Sequence, residues 1–330
     1  MTQRTLVVLS LLLVATVSYG DWRNVAPGVD YQEFTPPGMD LHVTRIDLTN
    51  DRIKVIATRE SERGLKVSDF AKREKAIVAI NGDYFDEKFH PVGLVIGPCG
   101  PWEGTKDTKR EGVVAIGGKR ATIARQSAVM DPPEKWIEAA VSGWPVLVVD
   151  CEVVDPLPGS DVFTRAPHPR TAVALDEGGT TMYFVVADGR RSGVAGMTLP
   201  QLAQFIVGKL HAWSAINLDG GGSTAMWVDD EIVNRPSDGV ERPVGDHLAV
   251  VLRSDYVACD LSERATTAGG TARITTTKVI APTSTSSTPT SGNGITTTTT
   301  MTTTMSKTTE TTAVIPPASS DNNATTRPPR

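Results

Sequence analysis

An apolar segment runs directly into Asn217-Leu218-Asp219-Gly220-Gly221-Gly222-Ser223-Thr224, where an amide, a carboxylate, three glycines and two hydroxyls follow one another. Consecutive glycines contribute nothing to a core and cost conformational entropy, so they mark a left-handed turn or a close approach of backbone to a ligand. An ordinary tight turn is the simpler alternative. The loop lacks the Gly-Lys-Ser/Thr ending of a nucleotide P-loop. A strand-like Ala225-Met226-Trp227-Val228 follows it, whereas a dinucleotide-binding glycine motif opens a helix. What remains is a nest of backbone N–H groups suited to phosphate or sugar oxygens. Asp219 at its mouth is then a catalytic or sugar-binding carboxylate, or else the acceptor of an Asx-type turn bond.

Three further clusters carry polar chemistry. His168-Pro169-Arg170-Thr171 enters one expected strand and Asp188-Gly189-Arg190-Arg191 leaves the next, so a hairpin would bring Arg170, Asp188 and Arg190 to one open end. Guanidinium forks there suit a phosphate or carboxylate, with a loop-fixing salt bridge as the alternative. Asn234-Arg235-Pro236-Ser237-Asp238 and Glu241-Arg242-Pro243 form a stiff polar loop, because proline restricts the preceding arginine. Asn81-Gly82-Asp83-Tyr84-Phe85-Asp86 adds amide, carboxylate and aromatic groups of the kind sugar sites use. The five histidines, His42, His90, His168, His211 and His247, lack metal-ligand spacing, so no metal site is expected. A structural calcium at Asp83 or Asp219 is the one ion left open.

These groups need a rigid frame, and β signals dominate. Strands are expected over residues 43–48, 52–57, 76–80, 112–116, 145–149, 171–175, 180–186, 215–218, 225–228 and 247–252, with turns at residues 176–179 and 229–230. Two helices are expected. Ser68 caps one that runs through Glu74, and Thr198 caps another that ends at Leu210, with Pro200 in its first turn and an apolar stripe of Leu199, Leu202, Ala203, Ile206 and Leu210. Each helix precedes a strand ending Ala-Ile-Asn-x-Asp, at residues 79–83 and 215–219. Coincidence explains so short an echo, but a real one would put two Asn/Asp pairs at equivalent strand ends beside a shared cleft. The fold class is therefore α+β, a single β-rich domain of mixed or antiparallel sheet with a few packed helices.

Residues 1–20 carry Arg4, an apolar run and small residues before Asp21, the pattern of a secretory signal peptide, with an uncleaved anchor as the alternative. No later stretch is long and apolar enough to span a bilayer. From about residue 261 threonine makes up roughly a third of the chain and aromatics are absent, the composition of a disordered, O-glycosylated tail. Residues 21–260 remain as one domain. A net charge of −5 with no basic patch argues against nucleic acid as a partner. Cys99, Cys151 and Cys259 have no CxxC spacing; an exported chain could pair two of them, and the spacing does not say which.

Taken in order, residues 81–85, 91–94, 143–149, 169–171, 187–190, 217–224 and 234–243 make the chain resemble the phosphodiester glycosidase family over most of residues 43–252. The resemblance implies a secreted hydrolase that cuts the sugar–oxygen bond of a glycosyl-1-phosphodiester, N-acetylglucosamine-linked or otherwise, in a glycan or envelope polymer. A phosphate monoester is an easy leaving group, so the site has to hold phosphate, stabilise an oxocarbenium-like transition state and activate water or offer a nucleophile. Asp219, Asp188 and Glu241 are the catalytic candidates. Asn81, Asp83, Arg170, Arg190, Asn217, Gly220, Gly221, Gly222, Ser223, Thr224, Asn234, Arg235 and Arg242 are the binding candidates. Cys151 and Asp246-His247 depart from the family pattern, which has glycine at the first position and small or amide residues at the second. The competing readings are a non-catalytic glycan-binding module on a threonine-rich stalk and a metal-dependent phosphodiesterase.

Overall fold

The computed structural model describes residues 21–105, 112–124 and 133–259. The expected signal peptide and threonine-rich tail lie outside these residues.

Three antiparallel sheets form the described chain. The largest runs, in spatial order, β1 (Arg23–Ala26), β2 (Val29–Phe34), β3 (Leu41–Asp47), β14 (Thr181–Ala187), β13 (Arg170–Leu175), β15 (Ser214–Asn217), β11 (Val146–Val149) and β12 (Glu152–Val153). A second contains β7 (Gly100–Pro101), β6 (Val95–Gly97), β10 (Ala139–Gly143), β8 (Gly112–Gly117) and β9 (Arg120–Ala124). The third contains β17 (Glu231–Ile232), β16 (Met226–Val228), β5 (Ala76–Asn81), β18 (His247–Leu252) and β4 (Ile53–Ala57).

Their inner faces share one core: Ile46 and Phe184 from the large sheet meet Val114 from the second and Ile80 and Val250 from the third, all buried. Two of the three sheets take a helix on their outer face. Helix α3 (Leu199–Leu210) lays Leu199, Leu202, Ala203, Ile206 and Leu210 on Val43, Leu147 and Val185. Its Thr198 cap and Gln201 complete a reciprocal capping box, so two amides at the helix start are satisfied locally. Helix α1 (Val67–Glu74) covers the third sheet with Val67, Phe70 and Ala71. Here the expected cap is displaced: Ser68 lies inside the helix, and its amide donates instead to the Glu241 carboxylate at 2.9 Å. A short helix, α2 (Asp161–Arg165), sits in the loop before β13.

Every expected strand is present within a residue or two of its place. Those not anticipated are short or chemically muted. Strand β10 reads Ala-Ala-Val-Ser-Gly and is buried throughout, so it shows no alternation and carries a single branched side chain. Strand β2 carries Asp, Gln and Glu among its six residues.

Cys99 and Cys259 form a disulfide, tying the turn between β6 and β7 to the end of the described chain. The remaining thiol, Cys151, is exposed. Asp150 and Cys151 form the two-residue turn between β11 and β12, at φ values of 50° and 63°. Both central residues of such a turn are left-handed, which explains why glycine suits the second position. Replacing Cys151 with Gly should therefore stabilise the domain by roughly 0.5–1 kcal/mol and remove a free thiol. A denaturant midpoint unchanged or lowered in Cys151→Gly would show that the turn is unstrained.

Candidate active site

Strand β5 ends at Asn81 in one sheet and β15 ends at Asn217 in another, and the two ends meet. The buried Asn81 amide donates to Asp219 O at 2.8 Å, while its carbonyl accepts from Thr171 Oγ1 at 2.8 Å and from the Ala225 amide at 3.3 Å. Asp219 N returns a bond to Gly82 O at 3.0 Å. The buried Asn217 amide donates to Tyr84 Oη at 2.7 Å and to Trp144 O at 2.9 Å, which fixes the Tyr84 ring beside the cleft.

The cleft itself has a volume of about 460 Å³. The loop Asp219–Gly222 lines it together with Arg170, Arg190, Arg242, His168, Tyr84, Val162 and Phe163, and the Arg170 guanidinium lies over the Phe163 ring, 5.4 Å from its centroid. Phe163 stacks on Trp144 with ring centroids 5.1 Å apart. Aromatic faces together with guanidinium groups are suited to a ligand that carries both a sugar ring and an anion.

Two of the three glycines are explained by what presses on them. Gly221 has φ 61°, and a Cβ there would lie 3.0 Å from the Arg190 guanidinium. A Cβ on Gly222 would fall 2.2 Å from both Arg242 Nη2 and Asp238 Oδ2. The loop is bare so that two guanidinium groups can lie against it. It is less of an amide nest than expected. Gly220 N–H donates to Asp219 Oδ1 at 2.8 Å, Gly221 N–H to Pro169 O at 2.9 Å, and the Ser223 and Thr224 amides close a 3₁₀ turn. The aspartate thus makes an Asx-type bond and lines the cleft at once.

The arginines divide by environment. Arg170 is buried and donates to the carbonyls of Met197, Phe163 and Ala166 at 2.9, 2.7 and 3.1 Å, so it holds the wall together. Burial pushes it down to about 10, which leaves it charged at neutral pH. Arg190 is exposed, and its guanidinium reaches His168 Nδ1 at 3.4 Å. Burial, then Arg170, pushes His168 below the usual histidine range, so it meets Arg190 as a neutral acceptor at pH 7. Arg242 is paired with Asp238 at 2.6 Å.

Of the three expected catalytic carboxylates, the structure puts Asp219 alone on the cleft surface. Asp188 is buried, accepting from Asn234 Nδ2 at 3.1 Å and from the Arg235 amide at 3.0 Å, and so anchors the loop wall. Glu241 caps α1. Ser223 and Thr224 are buried beneath the glycines, Asn234 braces Met226 N at 2.8 Å, and the exposed Arg235 side chain is absent from the cleft lining. Phe163 and Val162 are the residues that sequence motifs did not select, because the segment 155–167 has a mixed polar, proline-containing composition that gives no site signal, whereas Tyr84 lies within the Asn81–Asp86 motif.

Asp83, one of the positions considered for calcium, lies behind the loop. Its Oδ2 accepts from Gly93 N at 2.6 Å and its amide donates to Asp246 Oδ1 at 2.9 Å. Burial, then the neighbouring Asp83 charge, holds the Asp246 carboxyl well above its ordinary value of 3.8. Gly82 is obligatory here, because its Cβ would sit 2.3 Å from Asp246 Oδ2. His247, the next residue, is not poised for acid–base work: it is fully buried, stacked on Phe70, and pushed down to about 3 by burial.

Geometry therefore defines a β-rich α+β domain with a cleft lined by arginine and aromatic side chains. A sequence profile of the phosphodiester glycosidase family matches residues 74–251, and the chain belongs to that family. The fold is similar to the zebrafish N-acetylglucosamine-1-phosphodiester α-N-acetylglucosaminidase catalytic domain auto-inhibited by its pro-peptide, with a TM-score of 0.55 and 21% identity over 68% of this chain and 82% of that one. It is also similar to a putative exported protein of Burkholderia pseudomallei, with a TM-score of 0.52 and 16% identity over 67% and 74% of the two chains. A prophage-derived uncharacterized protein of Bacillus subtilis, YomE, is 33% identical over 88 residues; the chain spans 27% of its own length and 13% of that relative in the match.

The raised Asp246 carboxyl has a stability consequence. Above pH 3.8 the unfolded chain releases this proton while the native chain keeps it, so native stability falls as pH rises toward the folded value. Asp246→Asn places an amide where the family pattern has small or amide residues. Its melting temperature should exceed that of the parent at pH 7 and depend less on pH between 4 and 7. A variant less stable than the parent at pH 7, with the parent's pH dependence, would contradict this assignment.

Proposed function

We propose that this chain is an exported hydrolase that cleaves the sugar–oxygen bond of a glycosyl-1-phosphodiester in a glycan or envelope polymer. The observation that carries the reading is the single carboxylate, Asp219, on a cleft surface otherwise furnished with Arg190, Arg242 and aromatic faces. Family membership supports it. N-acetylglucosamine, the sugar in the name of the zebrafish relative, is the first substrate to try.

In this reading Arg190 and Arg242 hold the phosphodiester, with Arg170 adding its charge from behind the wall. Tyr84 and Phe163 pack against the sugar ring. Asp219 faces the anomeric carbon, where its negative charge stabilises the developing oxocarbenium ion and its carboxylate takes a proton from water or attacks directly. Departing phosphate monoester needs little protonation, so one carboxylate suffices where ordinary glycoside hydrolysis uses two. Asp188 and Glu241 then serve the site by holding its loops.

Asp219→Asn preserves the side-chain oxygen that accepts from Gly220 while removing the charge. Release of sugar from an N-acetylglucosamine-1-phosphodiester should fall at least ~10³-fold with little change in melting temperature. Arg190→Ala should lower kcat/KM by roughly 10²-fold, most strongly for phosphodiesters compared with neutral glycosides. An Asp219→Asn enzyme that turns over normally would remove this residue from the chemistry. Because the cleft offers one carboxylate, a glycan-binding module is the second reading; tight binding of sugar-1-phosphodiesters without release of sugar by the parent protein would favour it.

A further inference from the structure

Histidines that seem scattered along the chain are placed by strand register. His42 lies opposite Glu33 in the β2–β3 ladder, and Asp40 precedes it by two residues on the same side of the extended chain. Glu33, Asp40 and His42 each offer a ligand atom within 4.8 Å of the others. The histidine is 4% exposed and its Nε2 has no hydrogen-bond partner; the facing Asp40 Oδ1, 3.7 Å away, has none either. That separation is too long for a hydrogen bond. It fits two ligand atoms on one cation, since bonds of about 2.1 Å at a tetrahedral angle put them roughly 3.4 Å apart.

The surroundings support a cation. Tyr31 Oη lies 2.7 Å from His42 Nδ1, so an Nδ1–H donating to the phenol leaves the Nε2 lone pair facing Asp40. The carboxylates of Asp188, Asp40 and Glu33 and the guanidinium of Arg191 act on His42. Arg191 pairs with Asp40 Oδ2 and reaches Asp188 Oδ2 at 3.3 Å, so it occupies the far oxygen and leaves Oδ1 to the site.

We infer that Glu33, Asp40 and His42 form a binding site for a divalent transition-metal cation of the zinc type, with water completing the coordination. An imidazole nitrogen with two carboxylate oxygens suits zinc better than calcium or magnesium, which take oxygen sets. The site is outside the cleft lining, and its role is to fix the β2–β3 hairpin to the loop carrying Asp188: Asp40 accepts the Asp188 amide at 2.9 Å, and Asp188 anchors the Asn234-Arg235 wall.

The test uses the protein in a Cys151→Ser background, stripped with chelator and titrated with Zn²⁺ by calorimetry, with metal content measured after dialysis. One zinc per chain is expected, together with a rise in melting temperature on zinc addition. Glu33→Gln, at an exposed position, and His42→Gln should each weaken zinc binding at least ~10-fold and abolish the melting shift. Parent protein that retains no zinc, or Glu33→Gln and His42→Gln variants that fold and bind it as tightly as the parent, would overturn the site. None of these readouts depends on hydrolysis.

Discussion

The side chain of Asn81 is the joint on which the cleft depends. It stands at the end of a strand in one sheet, fully buried, and its three hydrogen bonds reach Thr171 at the start of β13, Asp219 after β15 and Ala225 before β16. No apolar residue could occupy that place without leaving buried polar groups unpaired, each costing about 1–3 kcal/mol. Because the Asp219 peptide is clamped on both sides, by Asn81 at its carbonyl and Gly82 at its amide, its position is set by the two sheets and not by the loop. The glycines that follow are then free to be shaped by the guanidinium groups lying on them.

Charge is arranged in layers around this joint. Arg170, Arg190 and Arg242 make the mouth of the cleft cationic within a chain of net charge −5. Behind the glycine loop, Asp83 and Asp246 sit together in a fully buried pocket that only Gly82 and Gly93 leave room for. Keeping Asp246 protonated avoids two adjacent buried anions beneath Asp219. The carboxylates that do not face the cleft are spent on loop geometry: Asp188 on the Asn234-Arg235 segment and Glu241 on the start of α1.

How much of this was legible in the sequence follows the physics of each signal. Strands with branched residues and helix α3, with its capping box and apolar stripe, were readable because local preference and tertiary burial agree there. The hairpin β13–β14 correctly implied that Arg170 and Arg190 share one end. What the pattern could not show was depth. Asp188 and Arg190 are two residues apart, yet one is buried and bonded while the other is exposed to the cleft. Glu241 carries the right chemistry for catalysis and spends it on a helix amide 173 positions away in sequence. Register brings His42 to Glu33 and Asp40, although no ligand spacing announces it. Phe163 joins the cleft through a short helix whose residues give no periodic or motif signal.

The central claim is which bond breaks. Hydrolysis of an N-acetylglucosamine-1-phosphodiester in ¹⁸O-labelled water, with products read by mass spectrometry, answers it directly. Attack at the anomeric carbon, as we propose from the placement of Asp219 and the arginines, puts the label in the released sugar and none in the phosphate. Label found in the phosphate would mean attack at phosphorus and would contradict the account.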